Sequence, residues 1–296
     1  MDYLRVLANP QLRDPVLIAA FAGWNDASEV STFAARYLVR QWRARKMADI
    51  DPEEFYVFTE TRPDVHIAGR FQRRIEWPSN ELFFHNNRRG SRDFVVLIGV
   101  EPQLKWRTFT DVLIDFCRRQ GINTVVTLGG FIADVPHTYP VPLSGTASPS
   151  SLARRLRRVG VEATRYDGPT GIVGVLNAAC ARKGLATASI WGSVPEYLSA
   201  SPNPKVTLAI LEALSALLDL DVDLAGLRRL EVQFEQQVAR IVEDNPELAA
   251  YVQQLEEQQR EVQGGLGSEQ ESWSSGEDLI RDVEEYLRRR RNQSNG

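Results

Sequence analysis

Cysteine is nearly missing from this chain: two in 296 residues, Cys117 and Cys180. That excludes a disulfide framework or a cysteine-rich zinc scaffold and points to a reducing compartment. Three histidines, His66, His85 and His137, show no metal-ligand spacing, and neither HExxH nor CxxC occurs, so no metal is expected. Long apolar runs are also missing, which excludes a helical membrane span. The opening MDYLRVLANPQLRD lacks the charged-then-apolar layout of a secretory signal, so the expected location is cytoplasmic. Nucleotide fingerprints are missing too. The first strand-to-helix turn reads FAGWNDAS rather than GxGxxG, no GxxxxGK[ST] is present, and LSGTAS around Gly145 is not a GxSxG elbow. No cofactor is therefore expected.

What is present is an average globular composition, 43% apolar and 25% charged, with an uneven distribution of charge. Residues 1–220 hold 26 basic and 22 acidic side chains, a net of 26 − 22 = +4; residues 221–296 hold 9 and 17, a net of −8. A mildly basic body with an acidic tail excludes a dedicated nucleic-acid binder, which needs a strong basic stripe. The densest local group, Arg70, Arg73, Arg74, Arg88, Arg89 and Arg92, reads as a solvated basic face.

Strand and helix signals alternate through the first 220 residues. PVLIAAF (15–21), DFVVLIG (93–99), NTVVTL (123–128) and the weaker 187–191 are short apolar runs of the kind buried in a parallel sheet, and each ends in a glycine-containing turn. Amphipathic helices follow: Val30, Phe33, Ala34, Tyr37 and Leu38 share one face, as do Phe109, Val112, Leu113, Phe116 and Cys117. The pattern predicts a three-layer α/β/α fold with a mixed, mostly parallel sheet. Val95, Leu97, Val125 and Val126 should lie on buried central strands. Between Glu54 and His85, the segments EFYVFT, HIAGRFQRRIEW and NELFFH are expected to add strands to that sheet.

Beyond residue 220 the chain reads as helical. Leu227, Leu230, Phe234, Val238 and Ile241 form a narrow apolar seam suited to partner docking, which Asn245-Pro246 interrupts. The expected organisation is an α/β domain over 1–220, a helical hairpin over 221–263, a Gly/Ser-rich linker over 264–276 and a terminal amphipathic helix and tail over 277–296, with Tyr286 and Leu287 on its apolar face.

In an open α/β sheet, ligands bind beyond the carboxyl ends of the strands. That rule selects a cleft of Asn25, Asp26, Glu101, Gly129, Gly130, Asp134, His137 and Gly168, within which Glu101, Asp134 and His137 are the candidates for acid/base work. Competing structural readings stay open: Asp26 and Glu101 as helix caps, His137 as a loop residue stiffened by nearby prolines. The glycines of GPTGIVGVL precede a helix whose amides could meet an anion.

As a set, FAGWNDASEVSTFAARYL, GVEPQLKWRTF, LGGFIADVPHTYPVPLSG, YDGPTGIVGVLN and ASIWGSVPEYLSASPNPK resemble the proteasome assembly chaperone 2 family, in that family's order and over about residues 15–220. The resemblance implies a phosphorylase- or hydrolase-like fold. It also implies self-association as a trimer or other small oligomer, and proteasome subunits as partners. The function expected is a non-enzymatic, chaperone-like interaction protein; the alternative is an enzyme that uses the phosphorylase/hydrolase-like cleft on a small molecule.

Overall fold

The computed structural model describes residues 3–200 and 202–263, so Tyr286, Leu287, the linker over 264–276 and the tail over 277–296 lie outside the described residues. In chain order the elements are β1 (Leu4–Val6), β2 (Val16–Ala22), α1 (Val30–Trp42), β3 (Arg45–Ile50), β4 (Asp64–Gly69), β5 (Gln72–Glu76), β6 (Asn80–His85), β7 (Phe94–Val100), α2 (Trp106–Arg119) and β8 (Thr124–Ala133). There follow β9 (Leu143–Gly145), β10 (Ala147–Ser148), α3 (Ser150–Arg158), β11 (Val161–Ala163), α4 (Ile172–Arg182), β12 (Ala186–Pro195), α5 (Pro204–Leu218), α6 (Ala225–Glu243) and α7 (Pro246–Gln263). Among the described residues, no helix is long and apolar enough to cross a membrane.

The main sheet runs β1-β3-β6-β7-β2-β8-β12-β9-β11, with β10 also paired to β12. Its centre, β7-β2-β8-β12, is parallel throughout. On one flank β3, β6 and β7 pair antiparallel; on the other β9 is antiparallel to β12. Because side chains alternate along a strand, each central strand serves two cores. Val16, Ile18, Ala20, Val96, Val126 and Leu128 face α1, α3 and α5. Leu17, Ala19, Phe21, Val95, Leu97 and Val125 face α2 and α4, meeting Phe109, Leu113, Phe116 and Leu176. This is the three-layer fold that the sequence pattern predicts, and Val95, Leu97, Val125 and Val126 are all fully buried.

Two expectations need correction. Of the three β-rich segments between Glu54 and His85, only NELFFH joins the main sheet, as β6. EFYVFT forms turns that drop Phe55 and Tyr56 into the core. HIAGRFQRRIEW makes most of β4–β5, a separate two-stranded ribbon whose strand residues are all exposed. Its three arginines could not enter a covered sheet without a large desolvation cost.

The second correction concerns strand length: NTVVTL does not end at Gly129-Gly130, nor the next strand at Gly192. β8 and β12 stay paired to Ala133 and Pro195. The glycines sit inside the strands because other groups press on them there. A Cβ at Gly129 would lie 2.4 Å from the Trp191 ring, one at Gly130 2.3 Å from Val30, and one at Gly192 2.4 Å from Val206.

Candidate functional site

The carboxyl ends of β7, β2 and β8 carry a compact polar cluster built on the turn that follows β2. Gly23, at φ +117°, takes a conformation that side chains disfavour and turns the chain so that Asn25 points inward, fully buried. Its Nδ2 donates to Glu101 Oε1 at 2.7 Å, and the Ile172 amide at the start of α4 donates to the same oxygen, also at 2.7 Å. The anion at this helix N-terminus is therefore the protein's own carboxylate. Gly171 makes the approach possible: a Cβ there would lie 2.3 Å from Asn25 Oδ1 and 2.6 Å from Glu101 Oε1. Gly130 closes the group, its amide donating to the Asn25 carbonyl at 2.9 Å. Next to it, Tyr56 donates to the Val100 carbonyl at 2.6 Å and accepts from Asn80. Burial first, and then the Glu101 charge, push the Tyr56 hydroxyl pKa well above its usual value against the opposing Asn80 bond.

Asp26 is a capping residue. Its Oδ1 accepts from the amides of Ser31 (2.7 Å) and Thr32 (3.2 Å) in the first turn of α1 and from the Ser31 hydroxyl, and its Oδ2 accepts from the Thr32 hydroxyl. Gly129 lies under Trp191, and Gly168 belongs to an exposed loop beside Tyr166; neither touches the Asn25–Glu101 pair. Sequence reading chose Gly168 where the close approach belongs to Gly171.

Asp134 and His137 form a second cluster, which holds the C-terminal helices. The Tyr197 hydroxyl accepts the His137 amide at 2.7 Å and meets the ring's Nδ1 at the same distance. With the ring neutral and its proton on Nε2, the Tyr197 hydroxyl can donate to Nδ1 while it accepts the His137 amide. Burial lowers the His137 pKa and the Lys205 charge lowers it further, while burial raises that of Tyr197 to about 12, so both groups keep these roles at neutral pH. Lys205 bridges the loop to α6, donating to the His137 carbonyl at 2.6 Å and to Glu235 at 2.8 Å. α7 is tied down by Tyr251 to Asp134 (3.3 Å), Thr138 to Glu256 (2.6 Å) and Arg260 to Tyr139 (3.3 Å). Tyr197 and Lys205 lie within ASIWGSVPEYLSASPNPK, but their partners His137 and Glu235 are far away in sequence, and Tyr251 lies outside every segment quoted for the resemblance. Ser28 joins the two clusters, its hydroxyl reaching the Leu198 and Ser199 carbonyls.

The expected partner-binding seam is divided. Leu227 and Val238 are buried, with Val252 and Leu255 of α7, whereas Leu230 and Ile241 are exposed and Phe234 is half-buried. Asn245 caps α7 through the amides of Glu247 and Leu248, both at 3.1 Å, with Pro246 opening the helix.

Two features lie outside both clusters. Two of the three arginines after β6 are engaged with the protein's own carboxylates, Arg89 with Asp221 (3.3 Å) and Arg92 with Asp14 (3.0 Å). The β4–β5 ribbon is an arm with one apolar face: Val65 pairs with Ile75 and Ile67 with Arg73, while His66 and Arg74 share the other face. Ile67 and Phe71 are 86% and 93% exposed. Trp77 anchors the base by an edge contact with Phe58, ring centroids 4.8 Å apart. No group of three or more His, Cys, Asp or Glu is placed to hold a metal ion among the described residues.

A sequence profile of the PAC2 family matches residues 20–242. A PAC2 family protein from Streptomyces avermitilis is 40% identical, covering 81% of this chain and 100% of its own, with a TM-score of 0.74. A Mycobacterium tuberculosis proteasome-assembly chaperone homologue is 38% identical over 80% of this chain and 99% of its own, with a TM-score of 0.73. An archaeal proteasome activator from Pyrococcus furiosus shares the fold at 19% identity, with a TM-score of 0.65 over 80% of this chain and 97% of its own. No curated protein sequence matches the chain significantly.

Proposed function

This chain belongs to the PAC2 family, and from that premise we propose that it is a chaperone-like protein that binds protein partners without catalysis, proteasome subunits first among them. One observation carries the reading: the side chains best suited to acid/base chemistry are occupied in holding the fold. Glu101 caps α4 and fixes Asn25, Asp134 receives Tyr251, and His137 is clasped by Tyr197. A general base must be within reach of a substrate proton, and these groups already have protein partners. The arm supplies the opposite condition, an exposed apolar face rimmed by arginine, a composition enriched at interface centres.

The test is reconstitution. The full chain, mixed with unassembled proteasome α and β subunits, should migrate with a precursor complex on native gels and leave it as the core matures. Replacing both Ile67 and Phe71 by Ser should weaken that association at least about tenfold without unfolding the protein, since both side chains are exposed. Failure to associate with any subunit would remove the proteasome from the proposal. Turnover in an amide- or glycoside-hydrolysis screen that is lost in Glu101→Gln would overturn the non-catalytic reading itself.

A further inference from the structure

A cleft lies at the opposite end of the sheet from both polar clusters. α1 ends at Trp42, β3 begins at Arg45, β6 ends at His85 and β7 begins at Phe94, so these four termini meet beside the amino ends of the central strands. The connection from α5 to α6 crosses the same place. Trp42 Nε1 donates to the Asp221 carbonyl at 2.9 Å, and the Tyr37 hydroxyl donates to the Asp223 carbonyl at 2.8 Å. Between these segments is an open cleft of about 660 Å³, within the size range of small-molecule sites. One wall is rigid: Trp42 stacks on His85, with ring centroids 4.8 Å apart, and on Phe94 at 5.3 Å. The Arg45 guanidinium lies over the Phe84 ring, 4.7 Å from its centroid. The loop after β6 is fixed by buried Asn87, whose amide donates to Asp93 at 2.9 Å and whose side-chain oxygen accepts from the amides of Arg89 and Gly90.

Charge decides what the cleft can hold. Arg43 and Arg45 line it from the turn between α1 and β3, and Arg88 and Arg89 from the loop after β6; Asp221 and Asp223 line it from the connection opposite, a net of 4 − 2 = +2. Burial holds the His85 pKa below its ordinary value, so that ring adds no charge at neutral pH. Arg89 pairs with Asp221, whereas Arg43, Arg45 and Arg88 have no carboxylate partner among the described residues. A solvated basic face spreads its cations over a convex surface. Here they are gathered from two chain segments into one concavity, which focuses a positive potential there. A guanidinium fork matches both carboxylates and phosphates. A carboxylate brings two oxygens and one charge, but a phosphate monoester brings three terminal oxygens and nearly two charges at neutral pH. The monoester therefore answers an excess of +2 and can meet more than one arginine at once. The ionised aspartates only accept hydrogen bonds, so they suit hydroxyl groups on the same ligand.

We infer that this cleft binds a small hydroxylated phosphate monoester of about the size of a sugar phosphate, with Arg43, Arg45 and Arg88 on the phosphate and Asp221 accepting from a hydroxyl. The site is separate from the arm and does not depend on which protein partner the chain binds.

The experiment is a titration of the full chain followed by NMR of its histidine rings, which number three and lie in three different places: His85 in the cleft, His66 on the arm and His137 beside Tyr197. Ribose 5-phosphate, added in ~50 mM salt, should move the His85 resonances saturably, with half-saturation at or below about 1 mM, and leave those of His66 and His137 in place. Arg43→Gln/Arg88→Gln replaces two exposed side chains and should weaken binding at least about tenfold, with unmoved His137 resonances showing that the fold is intact. Arg70→Gln/Arg73→Gln removes the same charge from the arm and should leave binding unchanged. Equal losses in the two variants would overturn the site in favour of diffuse attraction to a cationic protein. Inorganic phosphate should bind at least about tenfold more weakly than ribose 5-phosphate, because it leaves the aspartates without a hydroxyl; equal affinities would overturn the assignment of ligand class. A phosphoserine tripeptide that binds more tightly than the sugar phosphate would overturn it in favour of a phosphorylated protein segment. No saturable movement of His85 up to about 10 mM would overturn the proposal outright.

Discussion

Strand β7 (FVVLIGV) is paired on both edges and covered on both faces, whereas the β4–β5 ribbon has only its own partner strand and exposes every strand residue. Both contain β-branched and aromatic residues, so β-propensity does not separate them. What separates them is charge. β7 carries none, while the ribbon and its turn carry Arg70, Arg73 and Arg74. An uncharged strand can be buried on both faces at no desolvation cost; a strand with arginines at its centre keeps one face wet and leaves the other to find a cover.

The comparison breaks if the two structures respond alike to mutation. Leu97→Ala in β7 should cost about 2–5 kcal/mol, the transfer term plus the cavity left under Phe109 and Leu113, read from the midpoint of a denaturant titration. A loss under about 0.5 kcal/mol would mean that the layer repacks freely and that burial does not distinguish the strands.

Asp93, at the start of β7, gives the next effect. Its buried carboxylate accepts from the Arg13 side chain and from the amides of Arg13 and Asn87. Burial alone would raise its pKa, but those bonds outweigh burial and hold it below the usual range. Asp93→Asn should cost about 1–3 kcal/mol at neutral pH. Because the folded pKa is depressed, the contribution is complete above the ordinary aspartate value of about 3.9 and is lost as pH falls below it through the folded value. Stability measured across that range should drop more steeply in the wild type than in Asp93→Asn; parallel slopes would contradict the assignment.

Tyr197→Phe removes the hydroxyl that holds His137, at a cost of about 1 kcal/mol, and should speed proteolysis at the Asp244–Pro246 junction as α7 loosens from its loop. An unchanged cleavage rate would show that the Lys205 and Tyr251 contacts alone retain the helices. The smallest effect belongs to the ribbon: Phe71→Ser should change the stability of the body by less than about 0.5 kcal/mol, however strongly it affects docking.

The layered fold was legible because uninterrupted apolar strands and 3.6-period helices are local signals, and the α1 stripe Val30–Leu38 and the β7 run read directly from spacing. β1 and β3 were not anticipated: Arg5, Arg45 and Lys46 break any apolar run, and the strands are held by the β1–β3 and β3–β6 ladders and by burial of Leu4, Met47, Ala48 and Ile50, with Arg5 and Lys46 paired to Asp49 at the surface. Half of the carboxyl-end site was legible as well. The strand-end rule chose Asn25, Glu101 and Gly130, which do meet. It also chose Asp134 and His137, whose partners Tyr251 and Tyr197 lie 117 and 60 residues away, a separation that no local pattern bridges. Gly171 was passed over for Gly168, because composition cannot say which glycine a neighbouring side chain will press upon.

The rims of the large sheet have a consequence for how crowded copies of this protein behave. Its outermost strands, β1 and β11, are three residues each. A rim that short offers too few free amides and carbonyls to template a foreign strand, so sheet-to-sheet fibre growth has little to start from. The longer unpaired strand edges belong to the ribbon, where arginines discourage stacking of like copies. The fold thus keeps its sticky geometry off the rims of its main sheet, on a single appendage that can be occupied or vacated without touching the core.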